Sequence, residues 1–423
     1  MTTDMKAAIM KCLWIITCLA AQAAGQNTLN LEATFSALRA EMNGGGGTIM
    51  CIGDSLTYRQ GGFHENFRTL VQNEYGNGGA GYQGFARWQG AGVNPNWLEG
   101  QINQDTSPHR GLDGMWLSHE TATSTSAYIV ARNTTSELFY TLGPDGGNFL
   151  FVPSLGGAVN VSANGTEASI GVILFNSTPL GQNWVYPSVN GRVTLLGLNN
   201  LSGGAGPIIH KSANGGWGVN NFLQRDWTFD KICQYLDPDL YIIMLGQNDG
   251  AMGQTVYEEK LTDLYFRLKN FNPDGKILFV SSYNSGAPNG QEHSNAMRSV
   301  SLVRSAGFID LYTAGGNRQF YLDNDYLDPD GVHFSAAGGL YVSTLIFNAL
   351  ETYGGSLQIC DSVDFNRDGF FPDTADLDAF LFVFSGGLCN SCGDIDFNND
   401  GYYPDTADMD ALLRVFSGGT CIE

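Results

Sequence analysis

The sequence predicts an α/β fold, a parallel sheet covered by helices on both faces, interrupted by a β-rich stretch and followed by a small repeated tail. Three observations carry this. From about residue 48 short apolar runs alternate with segments of helical period. Between about residues 88 and 205 that rhythm gives way to short strand-like runs with no helical period. Past residue 355, DFNRDGFFPDTADLDAFLFVFSGG (364–387) returns as DFNNDGYYPDTADMDALLRVFSGG (396–419), a 32-residue period that marks a module of its own.

Taken in order, the chain opens with Lys6 and Lys11 ahead of an apolar run from Cys12 to Ala21 and the small-residue pattern Ala21-Gln22-Ala23-Ala24. Charge, then apolar run, then small residues is the order of a secretory signal peptide, here residues 1–24. No later run reaches the ~18 apolar residues of a membrane span, so the mature protein is expected in solution or at a cell surface outside the cytoplasm. TIMCI then reads as a buried strand, and HENFRTLVQNEYG as a helix with Phe67, Leu70 and Val71 on one face and Gly76 as its stop. A first α/β part spans 25–87. The runs AYIVARN, SELFYTLG, GNFLFVPS, AVNVSA, SIGVILFNS and GRVTLLGL, punctuated by Gly, Asn and Pro, make 88–205 a β-sandwich-like insertion. Residues 206–354 resume the alternation: GPIIHKSA, PDLYIIML, GKILFVSS and GFIDLY as strands, QEHSNAMRSVSLVRSAG and LYVSTLIFNALETYG as helices. Residues 355–423 form the repeated tail.

A net charge of −21 argues against nucleic acid and anionic membrane surfaces as partners, since both would repel the chain. Much of the charge is local: twelve aspartates and Glu423 face only Arg367 and Arg414 within 356–423. So dense an acidic block is a solvated surface or a cation site. Of eight cysteines, Cys12 and Cys18 fall in the signal segment. Cys360 to Cys392 and Cys389 to Cys421 share one 32-residue spacing, which in an exported chain predicts Cys360–Cys389 and Cys392–Cys421 disulfides, one per repeat. Cys51 and Cys233 read as buried small hydrophobes.

Ligands of open parallel sheets bind beyond the carboxyl ends of the strands, so the residues after each strand come first. These are Gly53-Asp54-Ser55, Asn214-Gly215-Gly216, Gly246-Gln247-Asn248-Asp249 and, past the last strand, Asp330-Gly331-Val332-His333. A serine hydroxyl needs a base to take its proton, and His333 is the candidate. Asp330, three residues earlier on a tight turn, can hold the imidazole in one tautomer. The N–H groups of Ser55 and Gly215 and the side-chain amide of Asn248 are candidate donors to a tetrahedral oxyanion. Gly215 suits that task because a backbone N–H aimed into a site often needs a residue without a side chain or a positive φ. The other histidines, His64, His109, His119, His210 and His293, lack metal-ligand spacing, so no cofactor is expected for catalysis. Trp88, Trp97, Trp116, Trp184 and Trp217 could stack on sugar rings but read first as core.

The blocks GDSLT, a glycine after the second strand, GQND and DGVH, in that order, resemble the SGNH (GDSL-type) hydrolase family over residues 46–95 and 205–352. The resemblance implies a flavodoxin-like three-layer α/β/α fold, with Ser55 as nucleophile, Asp330 and His333 completing a triad, and Ser55, Gly215 and Asn248 forming the oxyanion hole. About 160 residues separate the serine and glycine blocks. With YGNGGAGYQGFARW they make the chain similar to the peptidoglycan O-acetylesterase-like subgroup with an inserted β domain. Gly216 and Gly79 stay open as alternatives to Gly215, and NGGAGYQG is read as a loop at the pocket wall.

In the tail, DFNRDG and DFNNDG place oxygen ligands at positions 1, 3 and 5 of a loop with glycine at 6, the opening of an EF-hand loop. The two loop–helix units resemble a dockerin-like module over residues 360–421. That resemblance implies calcium held by Asp364, Asn366 and Asp368 and by Asp396, Asn398 and Asp400, with Asp376 and Asp408 one place beyond the usual closing position and Asp373 and Asp405 as alternative closers. A cohesin-like or cell-surface partner would follow. The expected function is that of a secreted serine esterase removing O-acyl, chiefly O-acetyl, groups from a polysaccharide. Two alternatives stand beside it: an O-acyltransferase or lipase-like esterase on the same triad, and a calcium-dependent adhesion or scaffold protein.

Overall fold

The computed structural model describes residues 28–59, 61–85, 91–93, 97–99, 110–119, 126–188, 190–225, 227–353, 362–368, 373–389, 391–395, 397 and 406–416. The signal segment, Trp88, His109, Cys360, Asp396, Asn398, Asp400, Asp405 and Cys421 lie outside these residues. Two compact units emerge, Asn27–Ala349 and a second that includes Leu350–Glu423.

In the first unit a six-stranded sheet runs in the order Thr28–Leu29, Gly307–Ile309, Lys276–Ser281, Leu240–Leu245, Thr48–Gly53, Ile208–Ala213. All neighbours are parallel except the first pair. Counted along the chain, the parallel strands lie 2-1-3-4-5, the flavodoxin-like doubly wound order. TIMCI and LYIIML are near-continuous apolar runs because both faces of their strands are buried. The helices expected at 64–76, 291–307 and 340–354 form as Phe63–Tyr75, Gly290–Arg304 and Ala336–Tyr353. Leu31–Asn43, Trp227–Leu236 and Gln254–Phe271 add three more.

The β-rich stretch builds two further sheets. One contains Val159–Ser162, Asn148–Val152, Gln182–Pro187, Ala127–Val130 and Ala91–Val93; the other contains Ser169–Asn176, Thr135–Leu142, Val193–Leu201, Leu117–His119 and Leu98–Glu99. Phe149, Phe151 and Val185 of the first meet Leu138, Tyr140 and Leu195 of the second in one apolar core. This core does not part from the α/β sheet as a separate unit. Tyr82, Phe139 and Leu196 instead pack into the cluster that holds Ile243 and Phe279.

Two elements differ from the sequence expectation. Gly81–Gly84, read as a pocket-wall loop, is a strand paired antiparallel with Gly197–Asn200, and its Gly84 N–H donates to the buried Asp113 carboxylate at 3.0 Å. The strand expected over GFIDLY stops at Ile309, because Asp310 accepts the Thr313 N–H and starts a helical turn at Leu311–Ala314.

In the second unit, Thr374–Phe384 and Thr406–Phe416 are helices that share an apolar cluster of Phe365, Phe380, Phe397 and Leu412. The disulfide expectation is overturned: Cys389 pairs with Cys392, Cα atoms 5.5 Å apart. The last cysteine of the first repeat and the first of the second instead stand three residues apart on the connecting turn, within reach of each other without crossing either helix. Cys51 and Cys233 are free and buried.

Candidate active site

The order of the sheet reverses between Thr48–Gly53 and Leu240–Leu245, the switch point where open α/β sheets open a crevice. Gly53 pairs with Met244 on one side and Ala213 on the other, so the three loops that follow leave adjacent strand ends. The serine turn comes from the first. Gly53 is required there, since a Cβ would sit 2.1 Å from Thr57 Oγ1 and 3.0 Å from the Met244 carbonyl oxygen. Asp54 caps the short helix Ser55–Tyr58 by accepting the Leu56 N–H at 2.9 Å, which leaves Ser55 on its first residue, 8% exposed.

The histidine arrives from the turn before Ala336–Tyr353. Leu327 and Phe334 bridge its base, the Asp328 N–H reaches the His333 carbonyl at 2.8 Å, and Gly331 takes the left-handed φ of 68° that the reversal needs. Tyr283, buried against Tyr321 and Phe334, donates its hydroxyl to the Val332 carbonyl at 2.8 Å. So held, His333 Nε2 lies 2.9 Å from Ser55 Oγ, and Nδ1 lies 2.7 Å from Asp330 Oδ2. Asp330 Oδ1 accepts the N–H groups of His333 and Val332, each at 3.0 Å. These hold its carboxyl well below the usual carboxylate range, the His333 backbone N–H contributing most.

Arg59 completes this edge: its Nη1 stands 3.2 Å from both Asp330 Oδ2 and Asp328 Oδ2. It sits in the same CIGDSLTYR stretch as Ser55, and only the fold shows that its partner is 271 residues away.

The glycine and asparagine loops are tied together. Asn248, exposed, donates one Nδ2 hydrogen to the Trp217 carbonyl at 3.0 Å, which leaves its second amide hydrogen for another acceptor. Asn214 Nδ2 binds the Asp113 carbonyl at 2.7 Å and fixes the start of the glycine turn. The positive φ falls on Gly216, at 73°, and not on Gly215 as the sequence argument allowed. Gly79 bridges Ile208, at the end of the sheet away from Ser55, so it stands outside this constellation.

Beneath the serine turn lie residues that sequence reasoning passed over. Asp54 is 1% exposed, and burial pushes its carboxyl up to about 7 despite the Leu56 N–H. Asp249, also buried, accepts the Val219 N–H at 3.0 Å and is likewise raised by burial. Their signal was in plain view, as the aspartates of GDSL and GQND, but nothing in the motifs says that both turn inward.

In the tail, Asp364 Oδ1 and Asn366 Oδ1 both accept the Asp368 N–H, at 3.0 and 2.9 Å, and Asn366 Nδ2 meets Asp368 Oδ2 at 2.9 Å. Three oxygen-bearing side chains thus share one loop mouth, the donor class a hard cation takes. Asp376 is buried, with its two oxygens taking the Asn366 and Asp373 N–H groups. Among the described residues no group of three or more His, Cys, Asp or Glu is gathered as for a metal.

Residues 181–339 match the GDSL-like Lipase/Acylhydrolase family. The match takes in Gly215, Asn248, Asp330 and His333; Ser55 lies outside it and joins them through the fold. No curated protein matches the chain. Among solved structures, one titled "Peptidoglycan O-acetylesterase in action, 5 min" is similar in fold, with a TM-score of 0.63 and 18% identity over 78% of this chain and 97% of its own. An acetyl-xylooligosaccharide esterase mutant from Geobacillus Stearmophilus gives a TM-score of 0.28 at 15% identity, over 34% of this chain and 73% of its own. A lipase/acylhydrolase from Enterococcus faecalis gives 0.29 at 22%, over 35% and 77%. Among the described residues no helix is long and apolar enough to cross a membrane.

Proposed function

We propose that this chain, residues 181–339 of which match the GDSL-like Lipase/Acylhydrolase family, is a serine esterase that removes O-acetyl groups from a polysaccharide, with Ser55 as nucleophile and His333 and Asp330 as its base and orienting carboxylate. The observation that carries the reading is the unbroken line from Ser55 Oγ to His333 Nε2, 2.9 Å, and from His333 Nδ1 to Asp330 Oδ2, 2.7 Å. Ser55 Oγ attacks the acyl carbonyl while its proton passes to His333 Nε2. Asp330, ionised throughout the working range, stabilises the imidazolium so formed. Negative charge on the former carbonyl oxygen is met by the N–H groups of Ser55 and Gly215 and the free hydrogen of Asn248 Nδ2. Collapse breaks the ester bond, and the departing sugar oxygen takes the proton from His333. Water, deprotonated by the same imidazole, then attacks the acyl-enzyme, releasing acetate and returning the proton to Ser55.

The choice of an acetylated polysaccharide is supported by the fold shared with the peptidoglycan O-acetylesterase, together with the signal-like N terminus that would export the chain. The tail, in this reading, binds calcium and tethers the enzyme to a partner or surface. Acetate release from p-nitrophenyl acetate and from acetylated xylan, peptidoglycan and pectin tests the assignment. Ser55→Ala is expected to lower kcat by at least about 10³-fold with the fold intact. An Ala variant as fast as wild type removes Ser55 from the chemistry.

A further inference from the structure

We propose that His293 is a positioning residue: as an imidazolium it clasps both ends of the loop that carries Asn248 and so holds the oxyanion donor in place, an inference that rests on the role given to Asn248 above. His293 is buried in the helix Gly290–Arg304. Its Nδ1 lies 3.1 Å from the Gly246 carbonyl oxygen and its Nε2 2.9 Å from that of Met252. A carbonyl oxygen only accepts. A neutral imidazole carries one N–H, and would aim a lone pair at an oxygen across one of these two gaps; the imidazolium donates across both. Gly246 and Met252 bracket Gln247, Asn248 and Asp249, so both contacts act on the backbone that aims the Asn248 amide.

The surroundings suit a cation. The Tyr257 ring, from Gln254–Phe271, lies against the imidazole with centroids 4.3 Å apart at 40°. Asp249, on the clasped loop, carries a carboxyl that is raised by burial and drawn partly back by the Val219 N–H and by His293. Asp54, from the serine turn, is close enough to act on the Tyr257 hydroxyl and adds negative charge when ionised. Glu292, the adjoining residue on the same helix, takes the Gln254 N–H at 3.0 Å. Asp310, at the end of Gly307–Ile309, is engaged by Ser281, Ser294 and Thr313, and Glu258 by Ser299. Uncharged contacts reinforce the loop: Asn289 Nδ2 donates to the Gly250 and Met252 carbonyls at 3.2 and 3.1 Å, and Gln247 Oε1 accepts the Ser285 hydroxyl at 2.9 Å. Those do not vary with pH, whereas the His293 clasp loosens once a proton leaves the ring.

Ring-15N-histidine NMR of the full-length protein, from about pH 6 to about pH 9, reads the charge directly. The expected result is a His293 ring protonated on both nitrogens at neutrality, its deprotonation coinciding with the alkaline fall in kcat on p-nitrophenyl acetate. His293→Gln, which keeps N–H donors without the charge, should lower kcat about tenfold, with KM unchanged within about twofold, and abolish the alkaline limb. His293→Phe, which keeps neither, should lower kcat further. A singly protonated ring at neutrality overturns the clasp, as does an unchanged alkaline limb in the Gln variant; the wild-type spectrum decides even where a variant fails to fold. Asn248→Ala with full kcat overturns instead the oxyanion reading, whatever the ring shows.

Discussion

Asp54 is a carboxylic acid placed where water does not reach, and the cost of ionising it there has a sign that can be worked out. Burial raises its folded pKa to about 7, above an unfolded value of about 3.9. The folded state therefore holds a proton that the unfolded chain has released, and stability falls as pH climbs from about 4 to about 7 before levelling off. Asp54→Asn keeps the oxygen that caps the Leu56 N–H and removes the titration. Thermal melts should show the variant several degrees more stable than wild type at about pH 8 and equal to it at about pH 4; a constant difference across that range would remove the buried carboxyl as the cause. Ser55, Asp330 and His333, which the structure brings together, are readable in the sequence because each is a polar residue stranded just past an apolar strand or turn. Inward-facing Asp54 and Asp249, the Arg59 guanidinium between Asp328 and Asp330, and His293 on its helix are not, because their roles depend on partners that only the fold supplies.

At the scale of elements, the Asp330–His333 turn illustrates how a strand end and a reversal cooperate. Tyr283, just beyond Lys276–Ser281, is 1% exposed and grips the turn by a single hydroxyl on the Val332 carbonyl. Tyr283→Phe keeps the ring packing and deletes that contact, leaving a carbonyl oxygen to find water. A loss of about 1 kcal/mol in stability and a fall in kcat of about tenfold or less are expected, read from melts and initial rates. A melt that drops with no change in kcat would confine the hydroxyl to holding the fold. Strand and helix runs with clean periodicity were legible in the sequence, TIMCI and LYIIML above all. Gln182–Pro187 was passed over because Gly181 and Pro187 frame it as a loop, although it lies between two partners in its sheet. GFIDLY reads as a longer strand than forms because Asp310 looks the same in a strand as at a cap.

Across the whole molecule, the 32-residue repeat was legible as two copies of one unit, but its cysteines followed proximity on the connecting turn rather than the symmetry of the repeat. The Asp364, Asn366 and Asp368 loop is expected to bind calcium, so melts of the full chain should gain several degrees in one transition on adding calcium and lose them in chelator. Identical melts in both would leave the acidic block as solvated surface alone.

The separation of 278 positions between the hydroxyl and the imidazole also governs when the two can meet. A ribosome making roughly 5–20 residues per second finishes the serine turn tens of seconds before it delivers its base, and the neighbouring strand Ile208–Ala213, which pairs with Thr48–Gly53, is synthesised only after the residues of the intervening sheets. On the proposed triad, the nascent chain carries the Ser55 hydroxyl without its base for most of its synthesis, and esterase activity is expected only once both ends of the sheet are made.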